Sequence, residues 1–128
     1  MKFENLNNEF NIVISQIQSS KNFLESSRKI GNLLLEEKDD FWRAQGQLAL
    51  SVLLAHFLSV SKDVRFEAFI SFVNSLEDSV TREDLSETVK AKLGCEVDRF
   101  LTQSPQTMRA SIEVLQRNLE KAQAYAHQ

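Results

Sequence analysis

Glycine occurs three times in these 128 residues, proline once and cysteine once. So few backbone punctuators exclude a loop-rich chain and argue against an all-β one, whose tight turns draw on glycine and proline. Three glycines are also too few for a phosphate-cradling loop. The single Cys95 cannot form an intrachain disulfide, and no cysteine pair exists to hold zinc. Following Gly94, it reads as a small apolar filler. Histidine is scarce too. His56 and His127 are the two present, neither has a second histidine three to five residues away, and no Glu-x-x-His pair occurs. The ligand spacings of zinc and di-iron sites are therefore missing, and no metal or cofactor is expected.

Charge of one sign is also lacking. Fifteen basic residues against eighteen acidic ones leave a net charge of −3, with no basic excess or stripe. Nucleic-acid binding, which rests on clustered lysine and arginine, is not expected. A helix-turn-helix can be laid over Thr81 to Leu101, but Glu83, Asp84, Glu87, Glu96 and Asp98 would put negative charge where phosphates sit. The longest apolar run, Leu48 to Val60, covers 13 residues and contains Ser51, His56 and Ser59. It falls short of the roughly 20 residues that a membrane span needs. The first nine residues include Glu4 and Glu9 and lack the apolar region of a secretory leader, so a cytoplasmic location is expected.

What the chain does have is apolar periodicity. It is 42% hydrophobic and carries nine phenylalanines. At this length one domain, residues 1–128, can bury roughly two thirds of the surface its unfolded chain exposes. Leu6, Phe10, Val13, Ile17, Ser20, Leu24, Ser27, Gly31 and Leu34 step by fours and threes along one helical seam. One long helix and two shorter collinear ones fit residues 5–35 equally well. Glu36 to Asp40 is a solvated loop whose Asp39 or Asp40 caps the next helix. From Phe41 to about Val60 the residues are apolar nearly all round, the mark of a helix enclosed by protein. Ser61 or Asp63 is placed to cap a third helix running to Leu76, with a stripe of Phe66, Phe69, Ile70, Val73 and Leu76.

Thr81-Arg-Glu-Asp84 resembles a capping box for a helix carrying Leu85, Val89 and Leu93, which ends at Lys90, Lys92 and Gly94. A short helix follows from Glu96 to about Leu101. Ser104-Pro105 then suits a helix start, with serine at the cap and proline at the first position. Met108, Ile112, Leu115, Leu119, Ala122 and Ala126 line the last helix on one face, and a Glu113–Arg117 pair lies on another. The expected fold is all-α, a bundle of five to six helices with long first and last helices.

Chemistry is harder to find. His56 on the central helix is the one residue with a sharp reading. Histidine phosphotransfer domains are helical bundles of about this length, with the phosphorylated histidine set in His-x-Leu-Lys-Gly. Leu58 matches that surrounding, while Ser59 and Val60 stand where lysine and glycine would supply charge and room. His56 therefore reads as structural, and a phosphotransfer-like signalling module or small enzyme using it is the alternative. The favoured reading is non-enzymatic: an adaptor, inhibitor, immunity-type or chaperone-type regulatory protein that binds a protein partner through helix faces. Adjacent helical residues point about 100° apart, so Phe41 and Trp42 cannot both pack squarely on one neighbour. With Leu6, Phe10, Ile17 and Leu24 of the first seam they are the candidate partner-binding residues. A first helix of about 45 Å would outrun the last, leaving apolar seam for a partner or for a second copy in a homodimer.

A circular-dichroism spectrum with the paired minima of α-helix and no strand component is the expected outcome of this reading.

Overall fold

The computed structural model describes residue 10, residues 20–76 and residues 80–126. Within them the chain forms six α-helices and no strand: α1 (Ser20–Leu34), α2 (Asp40–Val60), α3 (Phe66–Asn74), α4 (Glu87–Lys92), α5 (Gly94–Leu101) and α6 (Pro105–Ala126). A single 3₁₀ turn, Arg82–Asp84, precedes α4. The all-α bundle expected from the periodicity is the fold observed, with α6 long. Whether α1 continues through the seam residues before Ser20 lies outside the described residues.

α2 is the hub. Asp39 caps it, its Oδ1 accepting the Trp42 N–H at 3.2 Å, and Ser61 closes it by donating its N–H to the Phe57 carbonyl at 2.9 Å. Ten of its residues, from Gly46 to Phe57, are buried, among them Leu50, Val52, Leu53 and Leu54 at 1% exposure or less. An element buried on every side needs partners on every side, and α2 packs against all five other helices, most extensively α6. Two glycines set how closely these neighbours come. A Cβ at Gly46 would lie 2.9 Å from Val114 Cγ1 of α6, and one at Gly31 of α1 would collide with the Gln47 side-chain oxygen. That oxygen belongs to an amide whose Nε2 donates to the Ser27 carbonyl and the Ser51 hydroxyl, each at 3.1 Å. Ser27 and Ser51 in turn bond each other at 2.9 Å, so the α1–α2 contact is a satisfied polar joint inside an apolar seam.

The buried stripe of α1 runs Phe23, Ser27, Ile30 and Leu34, rotated slightly from the expected seam. Phe23 and Ile30 are 1% exposed, whereas Leu24 is half-buried. Phe10 is a core residue at 1% exposure, its ring stacked on Phe66 at 5.2 Å and tilted against Phe69 at 6.1 Å. Phe57, Phe69 and Phe72 continue this aromatic cluster between α2 and α3, at centroid distances of 5.4 to 6.5 Å.

Several local expectations are corrected. Neither Ser61 nor Asp63 caps α3. The Asp63 carboxylate accepts the Arg65 N–H at 3.2 Å and both prongs of the Arg65 guanidinium at 2.9 and 2.8 Å, and the helix starts only after this turn. Thr81 and Asp84 do engage, the Asp84 carboxylate accepting the Thr81 N–H at 2.8 Å, but they close the 3₁₀ turn. Ser86 caps α4, its hydroxyl accepting the Val89 N–H at 3.2 Å. Gly94 has no positive φ and opens α5, so α4 and α5 meet at Leu93 with no spacer. A helix-turn-helix needs a turn of three or four residues there, which this junction lacks. Cys95 is exposed and fills no core position. On α6 the ion pair formed is Arg109–Glu113 at 3.3 Å, while Arg117 turns to Glu37. Ser104 caps α6 as expected, accepting the Thr107 N–H at 3.2 Å.

The loop between α1 and α2 is not merely solvated. The Glu36 N–H donates to Asn118 Oδ1 at 3.0 Å, and Glu37 accepts from Arg117 and Asn118. Asn118 is 1% exposed, and its amide also donates to the Val114 carbonyl at 2.8 Å.

Truncation in the hub should cost most. Leu53→Ala and Phe57→Ala are expected to lower stability by about 2–5 kcal/mol through lost burial plus a cavity, read from urea melts. Melts matching the parent would contradict the central role of α2.

Candidate functional site

Two places on the surface combine exposure with chemistry. The first is the start of α2. Phe41 is 53% exposed, and its ring meets the half-buried Trp42 edge-on at 4.9 Å and 77°. The Asp39 cap fixes the first turn of the helix and so fixes where both rings project. Glu36, Asp39 and Asp40, all exposed, precede the pair in sequence, and Lys38 and Arg43 are the nearby cations in sequence. Phe41 and Val60 are the large hydrophobic residues exposed among those described.

The second place is an open pocket of about 340 Å³ beside the C-terminal half of α2. Its apolar lining comes from Leu53 of α2, Phe72 of α3, and Leu76, Val80 and Leu85 of the segments that follow. His56, Ser75 and Asp84 supply the polar groups, and no lysine or arginine among the described residues lines it. Leu53, Val80 and Leu85 are buried, whereas Ser75 and Asp84 are exposed and mark the mouth.

His56 is half-buried and tied down at one nitrogen. Its Nδ1 accepts the Ser86 N–H at 3.0 Å, so the neutral ring carries its proton on Nε2. The ring lies 5.8 Å from that of Phe72. Burial pushes the His56 pKa below its usual 6.5, opposed in part by the charge of Asp84. Protonating Nδ1 would also break the Ser86 bond. The nearby hydroxyls are engaged elsewhere. Ser59 donates to the His56 carbonyl at 2.8 Å, which leaves Ser86 to donate across the 2.8 Å contact to Ser59. These serines join α2 to the α4 cap and do not form a serine–histidine pair.

The sequence-predicted partner residues are thus dispersed. Phe41 and Trp42 stand together at the surface. Phe10 is enclosed in the aromatic cluster and unavailable to a partner in this fold. Leu24 lines a smaller groove of about 180 Å³ between α1, α2 and α5, with Arg28, Glu96 and Arg99. Leu6 and Ile17 lie outside the described residues. Sequence reasoning singles out His56 but misses Phe72, Asp84 and Ser86 as its surroundings. Phe72 sits three residues after Phe69 on the same helix, and that spacing is the available signal. No group of three or more His, Cys, Asp or Glu side chains among the described residues is placed to hold a metal ion. No helix among them is long and apolar enough to cross a membrane. The chain matches no family model, no curated protein and no solved structure.

The depressed His56 value sets a pH dependence. Because the folded chain holds this proton less tightly than the unfolded chain, stability is fully present above about 6.5, the unfolded value. It falls as pH drops through the lower folded value. Glu37, whose pKa is lowered chiefly by its hydrogen bond from Arg117, adds a second loss below 4.5. Histidine NMR titration should place the His56 midpoint below an ordinary imidazole, and the mildly acidic stability loss should shrink in His56→Gln. A midpoint above 6.5 would contradict the arrangement.

Proposed function

We propose that this protein is a non-enzymatic interaction module that binds a protein partner through the start of its central helix. The observation that carries the reading is the Phe41–Trp42 pair. Among the described residues, where Phe41 and Val60 are the exposed large hydrophobics, Phe41 projects into solvent from a capped and therefore rigid helix start. Aromatic anchors of this kind dominate protein interfaces because they desolvate a large area with little rotamer freedom to lose. The exposed carboxylates of Glu36, Asp39 and Asp40 favour a partner whose apolar pocket is rimmed by cations. The adaptor, inhibitor, immunity-type and chaperone-type roles all use such a surface.

The surroundings of His56 support the same reading against phosphotransfer. An incoming phosphodonor is anionic, and Asp84 stands at the mouth of a pocket that no cation among the described residues lines. A homodimer would draw on seam residues before Ser20, which lie outside the described residues.

The test is a comparison of tagged wild-type protein with Phe41→Ser, both purified from the native cell. Phe41 makes no core contact, so the variant should keep its helical circular-dichroism signal and its melting point. A specific protein recovered with the wild type should be depleted about tenfold or more from the variant, as loss of a central aromatic anchor implies. Equal recovery from both would overturn the assignment of this surface. Light scattering separates the two kinds of partner: a mass near 14.7 kDa at all accessible concentrations removes self-association.

A further inference from the structure

The groove between α1, α2 and α5 continues the surface on which Phe41 stands. Phe41, Ala44, Leu48 and Ser51 step by three, four and three along α2, so they share one helical face. The last three line the groove, and Phe41 projects about one turn beyond it. α1 and α5 each pack on α2 and make little contact with each other, which leaves this face as the floor of an open channel. Two polar joints hold the walls in place. Gln47 donates to the Ser27 carbonyl of α1, and Gln103, just after α5, donates to Gln45.

Charge is divided along this channel. At the groove, Arg28 of α1 and Arg99 of α5 stand on the two walls, against the one lining carboxylate, Glu96. Both arginines are exposed, and neither is in an ion pair with a described residue. At the Phe41 end the sign reverses, with Asp39 and Asp40 both exposed. From Asp40 to Leu48 the rise along α2 is about 12 Å. A segment lying over both ends must therefore be basic at one and acidic at the other, with apolar side chains between. We infer that the channel seats an amphipathic helix of the partner protein, with its apolar stripe on Phe41, Ala44 and Leu48. Its carboxylate meets Arg28 and Arg99, and its cation meets Asp39 and Asp40. A helix suits the channel because its apolar residues recur at the same three- and four-residue spacing as those of the floor. This docking rests on the Phe41 surface being a partner site and adds the chemistry of what lands there.

The probe is a phage-displayed library of random, helix-favouring peptides of about 16 residues, roughly 24 Å as a helix. Selected on the immobilised wild-type protein, binders should combine an apolar stripe at helical spacing with an acidic and a basic residue about eight positions apart. The best of them, as a free peptide, should shift the amide resonances of Ala44, Leu48 and Arg99 in the ¹⁵N-labelled protein. Arg28→Glu combined with Arg99→Glu should weaken it about tenfold or more, with the larger effect at low salt. Both positions are exposed, so the double variant should keep its helical circular-dichroism signal. Replacing the acidic residue of the peptide by lysine should restore binding to the double variant, a rescue that a merely structural defect would not give. Phe41→Ser should weaken the original peptide as well. Loss in Phe41→Ser with none in the double variant overturns the groove and leaves the Phe41 surface standing. Loss in the double variant alone overturns the Phe41 reading and the shared channel with it. A selection that yields no binder, or binders without a carboxylate, overturns the docked helix. So does self-association that the double variant abolishes, which would give the groove to a second copy.

Discussion

Everything in this bundle is arranged around the need to enclose α2. A helix without a polar face cannot rest at the surface, because each exposed leucine or valine would forfeit about 1.5–3 kcal/mol of burial. Five helices are therefore required as a jacket, and their amphipathic stripes meet that requirement from different sides. The long α6 covers one flank with Met108, Ile112, Leu115 and Leu119, and α1 covers another with Phe23, Ile30 and Leu34. The short helices α3, α4 and α5 close the remainder. They can be brief because each needs only the one or two turns that present Phe69 and Val73, Val89, or Val97 and Phe100 to the hub.

Apolar packing alone would leave the jacket free to slide, since hydrophobic contact is not directional. Three polar joints remove that freedom. Gln47 with Ser27 and Ser51 locks α1 to α2, and Asn118 locks the loop after α1 to α6. His56 with Ser86 and Ser59 locks the start of α4 to the C-terminal half of α2. Each is a hydrogen-bonded set within or beside the core, where an unmade bond would cost about 1–3 kcal/mol. The last joint has a second consequence, because holding one imidazole nitrogen decides what the other can do.

The helix count, the central position of residues 41–60 and the caps at Asp39 and Ser104 were legible in the sequence. They rest on local physics, namely a 3.6-residue period and side chains that accept orphan N–H groups. Details that depend on a distant neighbour were not. Arg117 has Glu113 one turn before it, yet it pairs with Glu37 from another loop. Asp63 looks like a helix cap until Arg65 takes its carboxylate. The stripe of α1 shifts toward Phe23 and Ile30 because the partner, not the period, decides which side of a helix is covered. For the candidate sites, helix geometry raised exposure at the Phe41–Trp42 pair as one of two outcomes, the other being that both rings pack, and it did not choose between them. The pocket was not legible, because it is assembled from α2, α3 and the residues around the 3₁₀ turn, which approach one another only in the folded chain.

The clasp at Asn118 reaches further than its size suggests. It joins Glu36 and Asn118, positions 82 residues apart in the chain. A loop near the beginning of the bundle thus has its backbone satisfied by the helix made after all the others. The α1–α2 hairpin alone would leave uncovered the flank of α2 on which α6 packs, so that portion of the bundle is not self-sufficient. Such wiring makes the fold close as a circuit: α6 works as the latch, and loosening it is felt at once by the loop before the hub.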